Sequence, residues 1–270
     1  MGKKSPTKGI TNLIVNGDFS DSDTSWQRNF SPSMICEVVT DNSTGNSYLR
    51  TAGQGNATQA LVVKSSTEYV ASCKGKSLYK GQGSLQITND GPTKRVGFSD
   101  VMEWEEFTLP FTTTANASAI IVKLTGSTGE IFFDDIVLAE LESDDELIKN
   151  GRFDDAGEHW TPHQNNVGAR VNFNDGRCEA SGTGYSTQAV ATQDGTQYVI
   201  VFKARSTNGG QGSLQVRAEG QPTRSVTFSS SAETDYSLAY TATSSEVEVR
   251  LASGAGGVVY FDDIAMRRVR

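Results

Sequence analysis

The chain has 270 residues, a formal net charge of −8, 36% hydrophobic residues, 27 glycines and 6 prolines. That length suffices for two ordinary domains. The acidic balance argues against a general nucleic-acid binder, and no apolar run approaches the roughly 20 residues of a membrane-spanning helix. In chain order, the start MGKKSPTKGI carries Lys3, Lys4 and Lys8 with no apolar segment behind them. Residues 1–11 are therefore expected to form a basic arm, and a cleavable signal peptide is not expected. A first domain is expected over 12–141. It opens NLIVNGDF at 12–19, continues through Trp26, ATQA at 57–60, TEYV at 67–70, GQGSLQ at 81–86, PTKRVGFS at 92–99 and FTLPFT at 107–112, and closes IFFDDIVL at 131–138. A second domain, 146–268, repeats this order: ELIKNGRF, Trp160, STQA, TQYV, GQGSLQ again, PTRSVTFS, YSLAYT and VYFDDIAM. The chain is a duplicated unit of roughly 130 residues, not a short solenoid repeat. The acidic LESDDE at 141–146 marks the junction. Arg267, Arg268 and Arg270 make the C-terminus basic, as a solvated tail or as an anchor for an acidic surface.

Within each copy the hydrophobic period is two. Leu85 and Ile87 of SLQIT share a face opposite Ser84, Gln86 and Thr88, and Leu214 and Val216 of SLQVR repeat the pattern. AIIVKL and EVEVRL alternate likewise. Turn chemistry such as NDG, NGG and GSTG separates these runs, and no helical stripe with caps occurs. The expected fold is all-β, two tandem antiparallel β-sandwiches. Cys36, Cys73 and Cys178 are odd in number and widely spaced; Cys73 aligns with Phe202, and Cys178 with Leu49, so buried thiols are expected instead of a disulfide framework or zinc cluster.

An opening NL-x-x-NG-x-F followed by Trp, a Tyr-centred strand that ends FKARS, and a terminal FDDI strand resemble the family 4, 9 and 22 carbohydrate-binding modules. The resemblance covers nearly the whole chain twice. It implies a galactose-binding-like jelly roll and a mainly structural role for Trp26, Trp160 and Trp104. It also implies a structural calcium between the opening loop and the last strand. The matching positions are Ser20 with Asp134 and Asp135 in copy one, and Asp154 with Asp262 and Asp263 in copy two. The resembling family more often has Glu where Ser20 and Asp154 stand. The alternative is a hydrogen-bonded acid that pins the first strand to the last.

Two adjacent acids on a strand diverge to opposite faces, whereas a glycosidase needs two carboxyls on one bond, so no catalytic residue is expected. His159 and His163 are separated by Pro162, which disfavours a helical zinc pair, and GQGSLQ has neither the following helix nor the GKS or GKT of a phosphate loop. Glycan-binding candidates are Gln86, Arg95 and Tyr79 in copy one, and Gln215, Arg217 and Tyr185 in copy two. The glutamines occupy the non-core strand face, where they could meet hydroxyls or stay solvated. The expected function is a non-catalytic structural or adhesion protein on a bacteriophage virion surface, as head decoration or tail component, with weak host-glycan binding. The alternative is an exported glycan-binding accessory protein of a polysaccharide-degrading system. Expected partners are virion proteins or cell-surface glycans, with no nucleic acid and no membrane insertion, at the virion surface or outside the cell.

Overall fold

A computed structural model describes residues 11–142, 147–164, 167–254 and 256–270. Most of the expected basic arm, with Lys3, Lys4 and Lys8, lies outside the described residues. The protein is all-β, and the chain divides into two compact units between Leu141 and Glu142.

The first unit contains β1 (Gln27–Asn29), β2 (Ile35–Thr40), β3 (Ser47–Ala52), β4 (Asn56–Val62), β5 (Glu68–Thr88), β6 (Lys94–Ser99), β7 (Glu105–Thr112) and β8 (Ala119–Glu140). Registers divide these antiparallel strands into two layers. One runs β2-β3-β8-β5-β7 and uses the early half of β5 with the late half of β8. The other runs β6-β5-β8-β4-β1 and uses their remaining halves. β5 changes layer where its register shifts between Leu78 and Gln82, at Tyr79 and Lys80 with φ of 55° and 56°.

The second unit contains β9 (Thr161–His163), β10 (Arg170–Asn174), β11 (Arg177–Ser181), β12 (Tyr185–Ala191), β13 (Gln197–Thr207), β14 (Gly212–Arg217), β15 (Arg224–Phe228), β16 (Thr234–Thr241), β17 (Glu246–Ser253) and β18 (Val258–Arg268). Its sheets run β10-β11-β18-β13-β16 and β15-β14-β17-β12-β9. The topology is that of the first unit, with β13 and β14 in place of β5, and β17 and β18 in place of β8. Arg267 and Arg268 are therefore strand and strand end, not tail; Arg268 lies 3.9 Å from Glu142.

The alternating apolar residues meet between the layers of each unit. Leu85, Ile87, Val122, Leu124 and Phe133 are buried in one core, and Leu214, Val216, Val249, Leu251 and Phe261 in the other. All three cysteines are buried free thiols.

Most duplicated motifs serve this architecture. The Asn16 side chain gathers its loop: Nδ2 donates to the carbonyls of Ser22 and Thr24 at 2.9 and 3.1 Å, and Oδ1 accepts from Asp21 N–H at 3.0 Å. Buried Trp26 donates its indole N–H to Asn16 O at 3.0 Å. Asn150 and Trp160 repeat both arrangements. The Gln of each TQA motif is buried because it satisfies both of its polar ends on one backbone residue. Gln59 does so on Val15, with both distances 2.9 Å, and Gln188 on Lys149 at 2.7 and 2.9 Å. The hydroxyls of Tyr69 and Tyr198 accept the amides of Lys64 and Gln193, five residues upstream, at 3.0 and 2.9 Å. A buried ring thus keeps its polar tip satisfied at a chain corner.

Candidate functional site

The paired acids form a β-bulge. Ser72 faces Val137 and Lys74 faces Asp134, so Cys73 alone stands opposite Asp135 and Ile136. In the second copy Phe202 alone stands opposite Asp263 and Ile264. Asp135 and Asp263 occupy the extra position with φ of 48° and 49°, a conformation that Asp tolerates better than most residues. The preceding aspartate braces it: Asp134 Oδ1 accepts Asp135 N–H, and Asp262 Oδ1 accepts Asp263 N–H, each at 2.7 Å. The bulge breaks the period of two, so Phe133 and Ile136, three residues apart, both enter the apolar core, while Asp134 is buried outside that cluster and Asp135 is exposed.

The bulge also frees an amide to hold the opening loop. Ile136 N–H donates to Gly17 O at 2.9 Å, and Ile264 N–H to Gly151 O at 3.0 Å. In copy one the pin gains Asn12, whose Nδ2 donates to Ile136 O at 3.0 Å and whose Oδ1 accepts Leu138 N–H at 2.9 Å. The first segment is thus pinned to the last strand by backbone amides and an asparagine, while the acid shapes the bulge.

Each outer acid has a lysine. Asp135 Oδ2 lies 2.7 Å from Lys74 Nζ, Asp263 Oδ2 lies 2.7 Å from Lys203 Nζ, and Arg152 Nε is 3.6 Å from Asp263. Asp134 is buried, and Asn46 Nδ2 donates to its second oxygen at 2.7 Å. Burial pushes the Asp134 and Asp262 carboxyls above the usual carboxylate range, against the pull of their hydrogen bonds. Ser20 is exposed and its Oγ donates to Asp18 at 2.9 Å; Asp154 is exposed as well. Among the described residues no group of three acids, histidines or cysteines is gathered for a metal. Calcium asks for six to eight oxygens, and here ammonium groups stand against the outer carboxylates. The residues present do not fit a calcium ion.

The glycan candidates separate more sharply. On the outward face of β6-β5-β8-β4-β1, register places Arg95, Gln86, Lys123, Thr58 and Gln27 side by side across five strands. The next row holds Gly97, Ser84, Thr125, Asn56 and Asn29. Gln86 Nε2 donates to Ser84 Oγ at 2.8 Å, which orients the amide. A groove of 720 Å³ lies over this face, lined by Gln86, Arg95, Lys123, Ser84, Asn56 and Asn29 among others. Tyr79 is not in it; the residue is 80% exposed at the β5 bend. Trp104 packs edge-on against Tyr48, ring centroids 5.7 Å apart, and Tyr48 in turn meets Phe132.

The equivalent row of the second copy is Ser225, Gln215, Arg250, Thr187 and Thr161. Gln215 bonds Ser213 at 3.0 Å, as Gln86 bonds Ser84. Arg217 is drawn to Glu248 at 3.4 Å. Tyr185 stacks with His163 at 4.4 Å between centroids, and the Arg250 guanidinium lies 3.5 Å from the Tyr185 centroid. His163 and Arg250 reach the ring from the strands on either side of β12, so Tyr185 offers a ligand an edge, not a face. A cleft of 760 Å³ in this unit is lined by Lys149, His159, Thr187, Glu246 and Glu248, and by none of Gln215, Arg217 or Tyr185.

Sequence reasoning missed Lys123 and Arg250, the cations at the centre of these rows. The signal was present: AIIVKL and EVEVRL place them at the same step of the same strand.

No protein-family model and no curated protein matches this chain. Among solved structures, it is similar to the CBM22-1-CBM22-2 tandem from Paenibacillus barcinonensis Xyn10C, with 14% identity, 98% of this chain and 100% of that chain covered, and a TM-score of 0.40. A structure described as "CBM4 structure and function" matches 45% of this chain and 99% of its own at 21% identity and a TM-score of 0.38. The enzymatically active domain of tailspike protein 4 from bacteriophage CBA120 matches 48% of this chain and 21% of its own at 11% identity and a TM-score of 0.38. The assignment of two tandem sandwiches rests on the strand order described above.

Proposed function

We propose that the chain is a non-catalytic glycan-binding protein of two β-sandwich modules, an accessory to polysaccharide breakdown. The observation that carries this reading is the groove on the first unit. Its lining of amides, hydroxyls and cations suits the hydroxyls of a sugar chain, and Ser84 orients Gln86 before any ligand arrives. The residues lining it include no carboxyl and no histidine, so the groove is assigned binding and not acid–base chemistry. A virion surface, where the sandwiches would serve as decoration or attachment domains, makes less use of such a groove; the modules would be building blocks there. The groove therefore favours the accessory reading. The test is a pull-down of the purified chain on insoluble polysaccharides, with a glycan array, in calcium and in chelator. Competable binding in both buffers is expected. Intact protein that ignores every glycan would return the chain to a purely structural role.

A further inference from the structure

We infer that the first unit's groove takes an anionic sugar chain, and that the second copy has lost this capacity. The inference rests on the glycan-binding reading and deepens it. The protein has a net charge of −8, yet the groove is lined by Arg95 and Lys123 and by no acid. Neither cation has an ion-pair partner among the described residues. Other surface cations do, including Lys74, Lys203 and Arg217.

Arg95 and Lys123 stand one on each side of Gln86, on the strands that flank it. Adjacent strands are about 4.8 Å apart, so the cations rise from backbones about 10 Å apart with an oriented amide between them. A neutral glycan gives the Arg95 guanidinium and the Lys123 ammonium no counter-charge. A carboxylate or sulfate on a pyranose supplies it, with charge-assisted hydrogen bonds, while Gln86, Asn56 and Asn29 remain for hydroxyls. Single-stranded nucleic acid fits less well, because the lining holds no exposed ring for bases to stack on; its one aromatic residue, Phe98, is buried.

The second copy keeps the glutamine and the central cation but loses the cation on the glutamine's other side. Ser225 stands where Arg95 does. Arg250 lies over Tyr185, and Glu248 sits beside it on β17, facing Arg217. The ring covers the cation whose counterpart Lys123 stands open, and Glu248 takes up Arg217.

The test is native affinity electrophoresis of the full chain through gels that hold one soluble polysaccharide each, in chelating buffer at low and moderate salt. The probes are polygalacturonate for carboxylate, chondroitin sulfate for sulfate, and soluble xylan and β-glucan for neutral chains. Retardation by at least one acidic probe is expected, and which one responds identifies the anionic group. Lys123→Gln and Arg95→Gln should each weaken it about tenfold or more, as loss of a hydrogen bond to a charged group does. Arg250→Gln should change it less than about twofold, because its guanidinium is engaged by the Tyr185 ring and its row lacks the second cation. Thermal melts confirm that each variant is folded. Equal retardation by neutral probes, insensitive to Lys123→Gln, overturns the anionic inference and leaves the glycan reading standing. Equal binding of a single-stranded oligonucleotide also overturns it. Failure with every polysaccharide defeats the glycan reading itself.

Discussion

Replacement of Gly17 by alanine tests the pin between the opening loop and the bulge. A Cβ at Gly17 would sit 2.2 Å from Ile136 O, a backbone atom that cannot rotate away. Relief needs roughly 1 Å of displacement, which would stretch the 2.9 Å Ile136 N–H···O Gly17 bond out of hydrogen-bonding range. Leaving that amide unpaired costs about 1–3 kcal/mol, and the overpacking about 1–3 kcal/mol more. The total of about 2–6 kcal/mol corresponds to a fall in Tm of about 7–22 °C for a domain of this size. The assay is differential scanning calorimetry of Gly17→Ala and of Gly151→Ala, whose Cβ would lie 1.9 Å from Ile264 O. Each should lower the transition of its own sandwich. Gly45→Ala is the control. Its φ is +76° and its Cβ would meet nothing within 4 Å, so it carries only the backbone cost of about 1 kcal/mol. If Gly17→Ala melts no lower than Gly45→Ala, the pin does not hold the sandwich and the reading of the NG and DDI motifs fails.

Two further outcomes follow from the buried titratable groups. Burial raises the Asp134 carboxyl, so the folded state holds its proton more tightly than the unfolded state. That contribution is fully present below the ordinary Asp value of about 3.9 and is lost as pH rises through the folded value. Asp134→Asn keeps an acceptor for Asp135 N–H, and Asn46 can turn its amide to accept from the new Nδ2, so the variant should remove this part of the pH slope in urea melts and leave the protein at least as stable at pH 7. A lower stability at pH 7 with an unchanged slope would show that the charged form is the favoured one. Desolvation pushes the thiols of Cys36 and Cys178 up to about 11 and about 12, and Cys73 higher still. All three should resist Ellman's reagent at pH 8 in native protein and react fully in guanidinium; rapid native labelling would contradict their burial.

The sequence alone determined the duplication, the strand alternation and the buried cysteines, because each is local. A period of two records which face of a strand meets the core, and a repeated motif records a repeated structural demand. It also placed Gln86 on the non-core strand face and named Arg95 beside it as a glycan candidate. What it could not determine was anything that depends on two strands meeting in register. The FDDI pair looked like a possible cation site because the resembling modules hold calcium between this strand and the opening loop. The partner strand makes it a bulge, with one residue set against two and lysine against the outer acid. Arg95 and Lys123 are far apart in sequence and become neighbours of Gln86 only when β6 and β8 flank β5. Tyr185 looked free until β9 and β17 brought His163 and Arg250 to it. Strand order thus decided which of two similar copies keeps an open, positively charged groove, because hydrogen-bonded register sets which side chains share a row.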